Sequence, residues 1–173
     1  MTLNPRPKPR LLFVDDEPAI TRALSVAFRK EPYEIRTAIS GQAALALFAE
    51  APFDVIVSDE RMPGMCGSDL LAQVRELYPA TVRIILSGQA NLEAAVRAIN
   101  AAEIYRFIMK PCPAEELMVT VREALELRDE RQRFEEWRGI QSRRAPEDLA
   151  QAFDRALAQL WMGFQPVLRT RAS

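Results

Sequence analysis

Histidine is absent from this 173-residue chain. That excludes a phosphoryl donor built on imidazole, any histidine base and any histidine-ligated metal site. There are two cysteines, Cys66 and Cys112, far apart and without Cys-x-x-Cys spacing. They cannot form a disulfide framework or a zinc site, and they point to a reducing cytoplasm. The six glycines never gather into a phosphate-binding loop, which argues against a nucleotide-binding enzyme. No apolar run approaches the roughly 18 residues needed to cross a bilayer. The Pro-rich, basic N-terminus (Arg6, Lys8, Arg10) lacks the apolar stretch of a signal peptide. A net charge of -1 gives no global attraction to nucleic acid or to an anionic membrane.

The chain is long enough for one domain with a real core plus an appendage. Residues 1–8 read as a disordered lead-in. Two periods then alternate. Short apolar runs at 11–14, 33–37, 54–58, 82–86 and 104–109 have strand character. Between them lie stretches with helical spacing. The first starts at Pro18, whose missing N–H costs nothing in a first turn, and carries Ile20, Ala23, Leu24, Ala27 and Phe28. Ser40 is placed to cap the second. The third carries Leu70, Leu71, Val74 and Leu77, the fourth Ala94, Ala95, Val96 and Ile99, and the fifth Leu117, Val121 and Leu125. Five strand–helix units in strict alternation predict an α/β fold, a parallel sheet with helices on both faces. Strand 2 alternates in polarity and suits an edge.

Right-handed crossovers place all strand C-termini on one rim, where open α/β sheets carry their chemistry. Strand 1 ends in Asp15-Asp16, strand 3 in Asp59, strand 4 in Ser87 and strand 5 in Lys110. If strands 1 and 3 are neighbours, three carboxylates crowd together and repel unless a cation joins them, and hard oxygen ligands favour Mg²⁺. One carboxylate can attack phosphorus to give an acyl phosphate. Lys110 supplies an ammonium, and Ser87 a hydroxyl, for phosphoryl oxygens. Each residue taken singly has a plainer reading: Asp15-Asp16 as a helix cap, Asp59 as a turn residue, Lys110 as a solvated lysine, Phe107 as core.

Four motifs, in this order and spacing, resemble the receiver domain of bacterial two-component response regulators. They are Phe13-Val14-Asp15-Asp16-Glu17, Ser58-Asp59-Glu60-Arg61-Met62-Pro63-Gly64, Leu86-Ser87-Gly88 and Phe107-Ile108-Met109-Lys110-Pro111. The resemblance covers residues 9–127. It implies a doubly wound (βα)5, CheY-like and flavodoxin-like sheet of order 2-1-3-4-5. It implies Asp59 as phosphoacceptor and Mg²⁺ held by Asp15, Asp16, Asp59 and the backbone carbonyl of Arg61. By the same resemblance Ser87 and Lys110 sense the phosphoryl group, Phe107 is the switch aromatic and the Lys110–Pro111 bond is often cis. Arg61 and Gln89 occupy positions that tune dephosphorylation. The partner implied is a sensor histidine kinase or phosphotransfer protein. The output surface is the face of helix 4, strand 5 and helix 5. Cys66 departs from the usual Asp in the loop beyond Asp59, with little expected catalytic effect, and Cys112 stands where a bulky aromatic is common. A haloacid-dehalogenase-like phosphatase also uses Asp, Mg²⁺ and Lys, but Asp15-Asp16-Glu17 does not match its Asp-x-Asp motif.

Residues 128–148 read as a charged linker helix, with a linker around Gly139 to Pro146. A helix over 113–138 would run about 39 Å, too long to pack wholly on one small sheet. Residues 149–173 begin a second amphipathic stretch. Ala156 to Leu168 resembles the opening helix and first strand of EAL domains, the cyclic di-GMP phosphodiesterases. The Glu-Ala-Leu signature and the later metal-binding carboxylates are missing, so phosphodiesterase activity is not expected. The expectation is a receiver followed by the truncated start of an EAL domain. Alternatively, it is a stand-alone receiver with a docking or dimerising helical tail. Neither direct nucleic-acid binding nor membrane binding is expected, since no basic recognition helix follows Leu127.

Overall fold

Apolar residues at 11–14 and 55–57 are fully or almost fully buried, which marks strands covered on both faces. The computed structural model describes residues 8–88 and 102–144. Within them the strands are β1 (Arg10–Val14), β2 (Glu34–Ala38), β3 (Val55–Asp59), β4 (Val82–Ser87) and β5 (Arg106–Met109). The helices are α1 (Pro18–Ala27), α2 (Gly41–Glu50), α3 (Gly67–Leu77) and a long helix, Ala114–Arg144. All pairings are parallel and the sheet order is β2-β1-β3-β4-β5. This is the expected doubly wound arrangement, with β2 at an edge.

The period-2 alternation of β3 and β4 divides the core in two. Leu12, Val14, Ile56 and Ile85 face one way and pack with Ala44, Phe48, Leu70, Leu71 and Val74 of α2 and α3. Leu11, Phe13, Val55, Val57, Ile84 and Leu86 face the other way. They pack with Phe28 and with Leu117, Val121, Ala124 and Leu125 of the long helix. Phe13 and Phe28 meet edge to face at 5.1 Å between centroids.

Local signals set most boundaries. Pro18 opens α1, and the Ser40 hydroxyl accepts the Ala43 N–H at 3.2 Å to cap α2. Other boundaries move. β2 lies at 34–38 because Glu34 pairs with Arg10, where β1 begins. β5 starts at Arg106, opposite Ile84 of β4, rather than at Ile104. α3 starts three residues before its first apolar position. The stretch read as a linker around Gly139 to Pro146 is helical as far as Arg144, and its remainder lies outside the described residues. The helix passes through Gly139, since one glycine costs a helix interior only about 1 kcal/mol.

The chain forms two compact units, residues 1–132 and 133–173. In the second, Phe134 and Trp137 stack at 6.1 Å and are both exposed. The expected fourth helix (94–99), Gln89 and the tail from 145 onward lie outside the described residues.

Candidate functional site

Parallel pairing brings the ends of β1, β3, β4 and β5 to one rim. Val14 stands opposite Ser58, Asp59 opposite Leu86, and Ser87 opposite Met109. The residue after β1 is Asp15, and the residue after β5 is Lys110. Both are thus carried to the side chain of Asp59.

Asp15 and Asp59 are only 2% and 7% exposed. Each oxygen of this pair has a defined partner. Asp15 Oδ1 accepts the Glu17 N–H at 2.9 Å, and Asp59 Oδ2 accepts the Arg61 N–H at 2.7 Å. The remaining oxygens converge on one cation: Lys110 Nζ lies 2.7 Å from Asp15 Oδ2 and 2.5 Å from Asp59 Oδ1. Two buried carboxylates tolerate each other here because an ammonium joins them. For Lys110, burial pushes the ammonium's pKa down, but hydrogen bonds and charge from Asp15 and Asp59 outweigh it. The net shift is upward from the ordinary lysine value.

Lys110 is aimed by its backbone. Its N–H donates to the Ser87 carbonyl at 2.7 Å, and the Lys110–Pro111 bond is cis. Ser87 itself is buried at the end of β4. Phe107 is half-buried and packs against the core on the α2–α3 side. Arg61 is exposed, and its guanidinium passes 3.7 Å from where a Cβ on Gly88 would lie. Asp16 is exposed beside Asp15. Of the seven expected residues, Asp15, Asp59 and Lys110 are thus in direct contact through their side chains. Arg61 joins through its backbone N–H and Ser87 through its carbonyl. Asp16 follows Asp15 in the chain, and Phe107 lies in β5 three residues before Lys110, packed against the core. Among the described residues no group of three or more acidic or cysteine side chains is arranged to hold a metal ion; the shared cation is lysine.

Two features escaped the sequence reading. Glu60 accepts both the N–H of Ser68, at 3.0 Å, and its hydroxyl, at 2.8 and 2.7 Å. Gly67 lies so close to β3 that an added Cβ would fall 2.2 Å from the Asp59 carbonyl oxygen. A glycine just before Ser68 at a helix start is a visible sign of close backbone approach. The Glu60–Ser68 pairing has no such sign.

Comparison with known proteins agrees with this fold. Residues 11–122 match the response regulator receiver domain, and the chain belongs to that family, the phosphoacceptor module of response regulators. Hydrogenase transcriptional regulatory protein HoxA of Cupriavidus necator is 40% identical over 116 residues, 67% of this chain and 24% of that protein. Regulatory protein AtoC of Escherichia coli is 37% identical over 118 residues, 68% of this chain and 25% of its own length. Among solved structures, the signal receiver domain of an HD domain-containing protein from Pseudomonas fluorescens Pf-5 superposes with a TM-score of 0.70 at 35% identity. That match covers 73% of this chain and 93% of the other. The chain spans about a quarter of the length of these two curated relatives.

Proposed function

We propose that Asp59 accepts a phosphoryl group from a histidine kinase or phosphotransfer protein. The observation that carries this is the state of its carboxylate. It is almost buried at a strand end, with Oδ2 tied to a backbone N–H and Oδ1 turned to an ammonium. A carboxylate so held has one orientation for in-line attack. Oδ1 bonds to phosphorus as the bond from phosphorus to the donor imidazole nitrogen breaks, and the imidazole leaves with its electron pair. Lys110 then exchanges its carboxylate partner for a phosphoryl oxygen, and its charge offsets the one that arrives.

Magnesium fits the donor chemistry. Asp15, Asp16 and Asp59 set three carboxylates against one ammonium, so the site keeps an excess of negative charge and offers hard oxygens. With the Arg61 carbonyl, these residues would hold the ion, which when bound neutralises phosphoryl oxygens. Ser87 and Phe107 then report the new charge at Asp59 to the face of helix 4, strand 5 and helix 5 as a population shift. In this reading the chain is cytoplasmic, and its chemistry is confined to its own phosphorylation and dephosphorylation.

Incubation with acetyl phosphate and Mg²⁺ tests this reading. One hydroxylamine-labile phosphoryl group per chain is expected, and Asp59→Asn should abolish it. Undiminished labelling of Asp59→Asn would overturn the assignment.

For the output we infer a link to cyclic di-GMP, supported by the likeness of residues 156–168 to the opening of EAL domains. Relatives carry the receiver on other outputs, named as transcriptional regulators and an HD domain-containing protein. The reading frame after Ser173 decides between them: continuation into an EAL domain supports the inference, and a DNA-binding module sinks it.

A further inference from the structure

Helix α3 begins without a cap of its own. Its N-cap residue, Cys66, makes no side-chain cap bond, although the first four N–H groups of a helix lack partners within it. The carboxylate of Glu60 reaches across the loop instead. It takes the Ser68 N–H at 3.0 Å and the Ser68 hydroxyl in the same grip. A negative charge at this helix end is also favoured by the helix dipole. The backbone repeats the link, since the Gly67 N–H donates to the Glu60 carbonyl at 3.0 Å. Residues 60–68 are thereby closed into a ring directly after Asp59. Gly67 presses this ring onto the Asp59 carbonyl, where no side chain fits. Within the ring sits Arg61, whose N–H holds Asp59 Oδ2 at 2.7 Å.

We propose that Glu60 and Ser68 are positioning residues for phosphorylation: by closing the loop after Asp59 they hold the Arg61 N–H against Asp59 Oδ2 and so set which carboxylate oxygen faces phosphorus. This rests on Asp59 being the acceptor. Neither residue touches the reacting atoms. Without the carboxylate grip only the Gly67–Glu60 backbone bond closes the loop, the Arg61 peptide is loosened, and the carboxylate rotates out of line.

Acetyl phosphate labelling rates are measured against acetyl phosphate concentration for wild type, Glu60→Ala, Ser68→Ala and Ser68→Thr. The Arg61 amide proton shift is read by NMR on the same samples. Glu60→Ala should lower the maximal rate about tenfold and leave the half-saturating concentration unchanged. It should also move the Arg61 amide proton upfield as its bond to Asp59 weakens. Ser68→Ala, which keeps the N–H link, should show both effects in smaller measure, and Ser68→Thr should restore wild-type values. Wild-type rates and shifts in both alanine variants would overturn the proposal. A wild-type chain that takes no label overturns the acceptor reading instead, while the Arg61 shift still decides the role of Glu60.

Discussion

Lys110 is held by two carboxylates that would otherwise repel, and this makes its proton unusually hard to remove. Burial works against the charge, but the bonds to Asp15 and Asp59 prevail, and the pKa is raised. The sign follows from linkage. The folded state binds this proton more tightly than the unfolded chain does. The stabilisation is therefore complete below the unfolded lysine pKa of about 10.4 and is lost as pH rises through the folded value. Urea midpoints taken upward from about pH 9 should fall across that window in wild type. In Lys110→Met the fall should be shallower; equal slopes would show that the ammonium is not stabilised as described. The sequence shows that Asp15, Asp59 and Lys110 end three strands. It does not show that one ammonium reaches both carboxylates, because that depends on pairings between residues 51 and 95 positions apart.

Strand β4 carries a charge through the core. Arg83 is 3% exposed, and burial lowers its pKa, yet among the described residues none of its hydrogen bonds is to a carboxylate. Its guanidinium donates to the carbonyls of Ala102 and Thr81, each at 2.7 Å, and more weakly to Pro79 and Glu103. It thus ties the entry of β4 to the segment leading into β5. Arg75 pairs with Glu103 at 2.6 Å beside it. Arg83→Met should leave at least two buried carbonyls without donors and cost about 2–4 kcal/mol, read as a lowered urea midpoint at unchanged slope. Arg83→Lys should recover little, since a point charge cannot span carbonyls placed for a planar fork. A stability equal to wild type in either variant would refute the clamp. Elements of this size were legible where a local signal acts alone, as Pro18 and Ser40 show. They were misjudged where a neighbour decides. Register with β1 sets the start of β2, and Gly139 is absorbed by a helix that continues past it.

At the scale of the whole molecule, the long helix changes character along its length. Leu117, Val121, Ala124 and Leu125 are buried against the sheet. Arg128 still forms an ion pair with Asp54, just before β3. Residues 130–139 are all exposed. Hydrogen exchange should therefore show amides 117–125 opening only with the sheet, and amides 130–139 exchanging through far smaller local openings. Uniform protection along the helix would mean that the exposed part has found a partner. Alternating periods of 2 and 3.6 were enough to predict a parallel sheet with helices on both faces and its strand ends on one rim, because side-chain direction along a strand or helix is a local property; the strand order that makes β1 and β3 neighbours came from the family resemblance. The shared lysine, the loop closed by Glu60 and the carbonyl cage of Arg83 were decided only when the chain folded. Each joins residues through space, and their energies come from burial and angle, which no local pattern records.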